Sequence, residues 1–173
     1  LYVDEIMNDW ANLAVEGHFK ASKPWWDYHE RFSNKLSKLV GAKPEEITVM
    51  NTLTVNLHLL MVSFYRPEPK RYKIICEEKA FPSDQYMIAS QVRFHGYDPE
   101  DAVVEIKKRP GEHGFRKEDI LQTIREVGDE CDLVFIGVVN YYSGQGLERE
   151  IITRTGHEVG AKVGWELAHA ARN

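Results

Sequence analysis

Two cysteines are all that 173 residues contain, and neither belongs to a CxxC pair or a Cys/His cluster. A structural zinc site therefore has no ligand set. Cys76 and Cys131 lie in apolar, strand-like stretches, KIICEE and ECDLVF. That is the setting of reduced core thiols in a cytosolic protein rather than of a disulfide. No apolar run approaches the ~18 residues of a membrane span. Residues 1–9 lack the basic start and apolar core of a signal peptide. Basic charge is short as well: 22 Lys and Arg stand against 27 Asp and Glu, a net −5. This argues against nucleic-acid binding by bulk charge, a local basic patch aside. Neither a Gly-rich phosphate loop nor GxGxxG is present, and no GxSxG elbow or Cys–His constellation marks a nucleophile. Internal repeats and linker-like Gly/Ser tracts are missing too.

What is present is globular: 43% hydrophobic and 28% charged residues, enough for one domain of ordinary size. Ile6, Trp10, Leu13 and Ala14 recur at helical spacing over residues 4–16, with Gly17 as a stop. Tyr28, Phe32, Leu36, Leu39 and Val40 repeat the pattern over 25–40, closed by Gly41. The Trp25-Trp26 pair and Trp10 read as packing residues. A short strand is predicted over 47–50, and Asn51-Thr52 caps a helix over 53–65. The prolines of 66–70 make a loop. Strands follow over 72–76, 103–106, 133–139 and 162–165, with helices over 82–93 and 116–127. Short apolar strands alternating with helices indicate an α/β fold, a mainly parallel sheet flanked by helices.

Open sheets of this kind bind ligands just beyond their strand ends, and four segments fall there. In residues 51–54 (NTLT), free amides and the helix dipole suit a phosphate, although an ordinary cap explains the same turn. In residues 80–84 (AFPSD), the ring of Phe81 is placed to stack on a heterocycle and Asp84 to orient a polar group. Phe81 as core and Asp84 as a first-turn helix acid is the plainer alternative. Residues 140–144 (NYYSG) form the third segment. In the fourth, Glu166 and His169 face one side if the chain turns helical after the strand. A carboxylate there would hold a ring nitrogen protonated, and His169 would titrate near neutrality; a structural hydrogen bond is the rival reading. His18 follows Gly17 at a helix end, where simple exposure accounts for it.

Together these segments resemble the kynureninase family of pyridoxal-phosphate (PLP) enzymes. The likeness rests on MNTLTVNLHLLMVSFYRPEPKRYKI, EEKAFPSDQY, YYSGQ and ELAHA, with EGHFKASKPWW near the start and KEDIL in the middle. It runs over essentially the whole chain in order, and FPSD together with LTVNLHLL is specific to the family. The resemblance implies that residues 1–173 form an incomplete large PLP-binding domain of the aspartate-aminotransferase fold (fold type I). It implies hydrolysis of L-kynurenine or its 3-hydroxy form to anthranilate or 3-hydroxyanthranilate plus L-alanine, in tryptophan catabolism and NAD biosynthesis. A cytoplasmic homodimer is implied too, with a small-molecule substrate and no nucleic acid, membrane or metal.

Position by position, the resemblance puts Leu53 and Thr54 at the cofactor phosphate and Phe81 on the pyridine ring, with Ser83 and Asp84 completing that side. Glu166 stands where the family has an aspartate bonded to the ring nitrogen. His169 is the histidine of the family's DLAHA segment, and His18 matches a histidine that recognises the aromatic part of the substrate. Gly137 stands where relatives commonly have a serine contact to the cofactor. The extra methylene of Glu166 makes its carboxylate approach the ring differently, and a shift on the order of 1 Å is costly at a preorganised site. The family's Schiff-base lysine, preceded by a tyrosine, lies downstream of DLAHA, and no lysine of this sequence has a matching context. The small C-terminal domain, with the arginine for the substrate carboxylate, is also expected outside residues 1–173. The stretch by itself is therefore expected to be inactive and to associate through uncovered sheet edges. Rival readings are another PLP enzyme of the superfamily, such as a cysteine desulfurase, or a non-catalytic fragment that folds or dimerises.

Overall fold

The amphipathic spacing near the start does produce helices, though shorter ones than predicted. The computed structural model describes residues 1–171, which divide into two compact units, 1–50 and 51–171. In the first unit α1 (Tyr2–Leu13) stops before Gly17, because Ala14 takes a positive φ of 47° and starts a 3₁₀ turn, Ala14–Glu16. Gly17 opens α2 (Gly17–Lys20) instead of ending a helix. Its lack of a side chain is required for space, since a Cβ would stand 2.5 Å from the Trp25 ring. The second amphipathic stretch splits into a 3₁₀ turn, Tyr28–Phe32, and α3 (Ser33–Val40). Gly41 closes α3 as predicted, in the left-handed conformation at φ 73°. Residues 47–50 form no strand: they follow the 3₁₀ turn Pro44–Glu46 and have no ladder partner. Trp10 and Trp26, expected to pack, are 60% and 71% exposed; Trp26 stacks on Phe19 at the surface, centroids 5.9 Å apart.

The second unit begins with α4 (Leu53–Phe64) and builds a four-stranded parallel sheet. Its strands are β1 (Lys73–Glu77), β2 (Val103–Ile106), β3 (Cys131–Gly137) and β4 (Lys162–Glu166), in the order β2-β1-β3-β4. Parallel neighbours need crossovers, and helices supply them. α5 (Pro82–Phe94) and α6 (Pro99–Ala102) join β1 to β2, α7 (Lys117–Val127) joins β2 to β3, and α8 (Arg149–Glu158) joins β3 to β4.

The period-2 alternation of a strand sends successive side chains to opposite layers. Ile74, Cys76, Leu133 and Phe135 pack with Leu57 and Met61 of α4 and Met87, Ile88 and Val92 of α5. Ile75, Val134 and Ile136 pack the other way, with Ile120 and Ile124 of α7 and Ile152 of α8. The result is three layers, helices on both faces of a parallel sheet, the predicted α/β class. α4 is apolar on every side yet buries only Leu57 and Met61. The sequence pattern predicts no element where α8 lies. Gly156 sits within it because a Cβ there would meet Val163 Cγ2 at 2.5 Å. Among the described residues no helix is long and apolar enough to cross a membrane.

Candidate functional site

Strands β1, β3 and β4 end on Glu77, Gly137 and Glu166. Gly137 and Glu166 are register partners, and the Val138 N–H donates to the Glu166 carbonyl (2.9 Å). The loops that follow these ends enclose a narrow cleft lined by Glu77, Phe81, Asp84, Gly137, Tyr141, Glu166 and His169, among others. The cleft encloses about 10 Å³, room for about one water, so a larger ligand would lie across its open side. Phe81 and His169 are exposed and mark its open side. Five of the sequence-predicted residues thus meet in one place: Phe81, Asp84, Gly137, Glu166 and His169. Ser83 stands beside them and donates its hydroxyl to Asp84 Oδ1 (3.2 Å).

Local sequence accounts for each position. Pro82 starts α5 directly after Phe81, leaving Asp84 in the first turn, where the helix dipole favours a carboxylate. Phe81 stays 45% exposed, with Tyr141 packed edge-on at 5.3 Å and 82°. The Tyr141 and His169 rings lie 6.4 Å apart. After Glu166 the chain turns, the Ala170 and Ala171 amides both donating to the Leu167 carbonyl at 2.9 Å. A Glu166 carboxylate oxygen accepts from the Ala168 amide. These turns, rather than a helix, bring Glu166 and His169 to the same cleft.

The floor is acidic. Glu77 and Asp84 are both buried, and no lysine or arginine pairs with either among the described residues. Burial pushes the Glu77 carboxyl upward, hydrogen bonds from Gly137 and Asn140 oppose this, and the charges of Glu166 and Asp84 add to the rise. Burial also raises Asp84, against the pull of the Ser83 hydroxyl and with a contribution from Glu166. Such a group of carboxylates suits a ligand atom that is cationic or carries a proton.

Other predicted residues stand elsewhere. Leu53 and Thr54 open α4 and do not line the cleft. The Thr52 side chain makes no capping hydrogen bond there, so the first-turn amides keep their affinity for an outside acceptor. His18 belongs to the first unit, where it is exposed and lies edge-on to Trp25 at 5.5 Å. A larger open groove runs along α8 past Lys117, Arg154, His157 and Trp165, but holds none of the predicted residues. Sequence reasoning missed Glu77. Its signal is a carboxylate ending an apolar strand, immediately before the loop that carries Phe81.

No family model matches the chain. The kynureninase of Christiangramia forsetii is 74% identical over 172 residues, covering 99% of this chain and 40% of that protein. The kynureninase of Salinispora tropica is 51% identical over 173 residues, 98% of this chain and 40% of that protein. Over nearly its whole length the chain is similar to kynureninases. It spans about 40% of the length of the curated relatives it matches. The kynureninase of Dictyostelium discoideum keeps 44% identity over 171 residues, 99% of this chain and 38% of that protein.

Among solved structures, the apo cysteine desulfurase of Thermococcus onnurineus NA1 matches with a TM-score of 0.66 at 18% identity, over 97% of this chain and 42% of that one. A cystine C–S lyase in complex with its product cysteine persulfide matches with a TM-score of 0.66 at 12% identity, over 95% and 42%. At these identities the likeness shows a shared fold.

Proposed function

We infer that this chain supplies the cofactor-holding part of a kynureninase, a PLP-dependent hydrolase that cleaves L-kynurenine or 3-hydroxy-L-kynurenine to anthranilate or 3-hydroxyanthranilate and L-alanine. The observation that carries this reading is the 74% identity to a kynureninase across 99% of the chain. The donor set supports it. An exposed aromatic, Phe81, shares the cleft with buried carboxylates that pair with no lysine or arginine among the described residues, which fits a flat ring with a protonated nitrogen.

When bound, the cofactor supplies the electron sink for breaking the substrate's Cβ–Cγ bond. Phe81 stacks on the ring. Glu166, with Asp84 and Ser83 beside it, keeps the proton on the ring nitrogen, which preserves the sink. The amides of Leu53 and Thr54 take the phosphate at the start of α4. His169 borders the ring, and Gly137 stands where the resemblance puts a serine contact to the cofactor. His18 meets the aromatic part of the substrate. The whole protein acts as a cytoplasmic homodimer in tryptophan catabolism and NAD biosynthesis, with a covalent lysine and a substrate-binding arginine supplied outside residues 1–173.

The test has two parts. The chain titrated with PLP is expected to bind it reversibly, in competition with phosphate, and to trap none on borohydride reduction. The full-length polypeptide that carries the chain is expected to release fluorescent anthranilate from L-kynurenine. Sulfide or persulfide from cysteine, with no anthranilate, would overturn the reading in favour of a desulfurase. Light scattering of the full-length polypeptide at a single chain's mass would remove the dimer.

A further inference from the structure

Glu77 ends β1 and is only 5% exposed. Oε2 accepts from the Gly137 N–H (3.0 Å), and Oε1 accepts from Asn140 Nδ2 (3.2 Å). A carboxylate is acceptor-only, so it dictates how the Asn140 amide is oriented: NH₂ toward Glu77, carbonyl oxygen away. That oxygen then accepts from the Tyr142 N–H (3.3 Å), the Ser143 N–H (3.0 Å) and the Ser143 hydroxyl (3.0 Å). The Gly144 N–H completes the turn on the Asn140 carbonyl (2.8 Å). Backbone bonds close the base of the turn, the Asn140 N–H on the Gln145 carbonyl and the Leu147 N–H on the Val138 carbonyl (both 2.9 Å); residues 141–144 are exposed, and the Glu77–Asn140 pair is their buried side-chain anchor. Tyr141, which the turn carries, is the residue packed edge-on to Phe81.

We propose that Glu77 is a positioning residue that acts through Asn140: it fixes the 141–144 turn and thereby holds the Tyr141 ring against Phe81 at the open side of the cleft. The inference rests on reading the cleft as a PLP site, where that ring pair sets the slot for the cofactor. Two bland alternatives differ in their consequences. As a mere extra negative charge, Glu77 would act without regard to Asn140. As a mere strut for the ends of β1 and β3, it would act without regard to Tyr141.

A charge-relocating swap separates them, made in the full-length polypeptide. In Glu77→Gln the single amide oxygen can serve only one of the two donors; with that oxygen kept on the Gly137 N–H, two NH₂ groups face each other, and the Asn140 amide turns and takes its oxygen out of the turn. Hydrogen exchange of the Tyr142 and Ser143 amides in the cofactor-free protein is expected to quicken about tenfold, and the PLP dissociation constant to rise by a similar factor. In Glu77→Gln/Asn140→Asp, the glutamine NH₂ donates to the new carboxylate, whose second oxygen faces the turn again. Both readouts are expected to return to within about threefold of wild type. A double variant as impaired as Glu77→Gln overturns the proposal, as does unchanged exchange in Glu77→Gln. Should the buried substitution prevent folding, Tyr141→Leu at the surface serves instead. It should weaken PLP binding with exchange at Ser143 unchanged, and full PLP affinity there overturns the proposal. If wild type itself binds no PLP, the cofactor reading fails, while the exchange data still judge the role of Glu77 in the turn.

Discussion

Residues 51–171 bury isoleucine, valine, methionine and phenylalanine on both faces of a sheet, whereas residues 1–50 bury only Gly17, Ala21 and Ser37 and leave Trp10, Phe19 and Trp26 exposed. Contacts within the first unit are superficial: ring pairs such as Phe19 on Trp26 and ion pairs such as Lys23 to Glu5 (3.0 Å) and Lys20 to Glu16 (2.5 Å). Exposed pairs of this kind contribute little, while buried apolar area dominates folding. The difference teaches that helical spacing fixes where a helix forms, and only a facing apolar surface fixes how firmly it stays.

The sharpest way to break this comparison is a matched pair of truncations. Ile136, 2% exposed near the C-terminal end of β3, is expected to cost about 3 kcal/mol when changed to alanine, through lost transfer energy and a residual cavity. Ile6→Ala in half-buried α1 is expected to cost under about 1 kcal/mol. Denaturant titrations measure both, and equal losses would contradict the contrast.

A smaller effect is expected at Gly156. An alanine Cβ there must displace Val163 Cγ2, only 2.5 Å away, at a cost of about 1–3 kcal/mol. Gly156→Ala/Val163→Ala should recover part of the lost melting temperature, and failure to do so would point to the helix backbone instead.

One carboxyl from each unit answers pH with opposite sign. Asp84 has a raised folded value, so the folded state holds its proton where the unfolded chain has lost it. That stability is complete below the usual aspartate value of 3.8 and is lost as pH rises through the raised one. Asp84→Asn should therefore stabilise the protein at neutral pH and change little in acid. Glu5 runs the other way, lowered chiefly by its Lys23 hydrogen bond and then by Ser22. Its contribution is present above 4.5 and is lost as pH falls through the lowered value. Melting curves across pH for Asp84→Asn and Glu5→Gln check both signs. The smallest effect is reserved for Lys23→Met, whose melt should match wild type once salt screens the pair.

Much of the sheet was legible because its strands are apolar on both faces. The predicted strand over 103–106 matches β2, and the others lie within two residues of β1, β3 and β4 at each end. What hid α8 was a set of local requirements, Gly156 for close approach to β4 and Thr155 buried and bonded to the Ile151 carbonyl (2.9 Å). The strand predicted over 47–50 failed for the converse reason: alternation in sequence does not supply a neighbour to pair with. At the cleft, Phe81, Asp84, Glu166 and His169 were legible because each follows a strand that the pattern reveals. Glu77 was not, because its importance lies in Gly137 and Asn140, both some sixty positions further along, and separation in sequence conceals such bonds.

Cys76 and Cys131 lie on the two central strands, both buried, and desolvation pushes each thiol up to about 12. In the folded protein neither forms an appreciable thiolate near neutrality, so alkylating reagents and disulfide exchange have little to attack. Labelling therefore waits for the middle of the sheet to open, and its rate becomes a clock for that event. Residues 1–50 contain no cysteine, so the clock ignores their motions entirely and times the opening of the sheet alone.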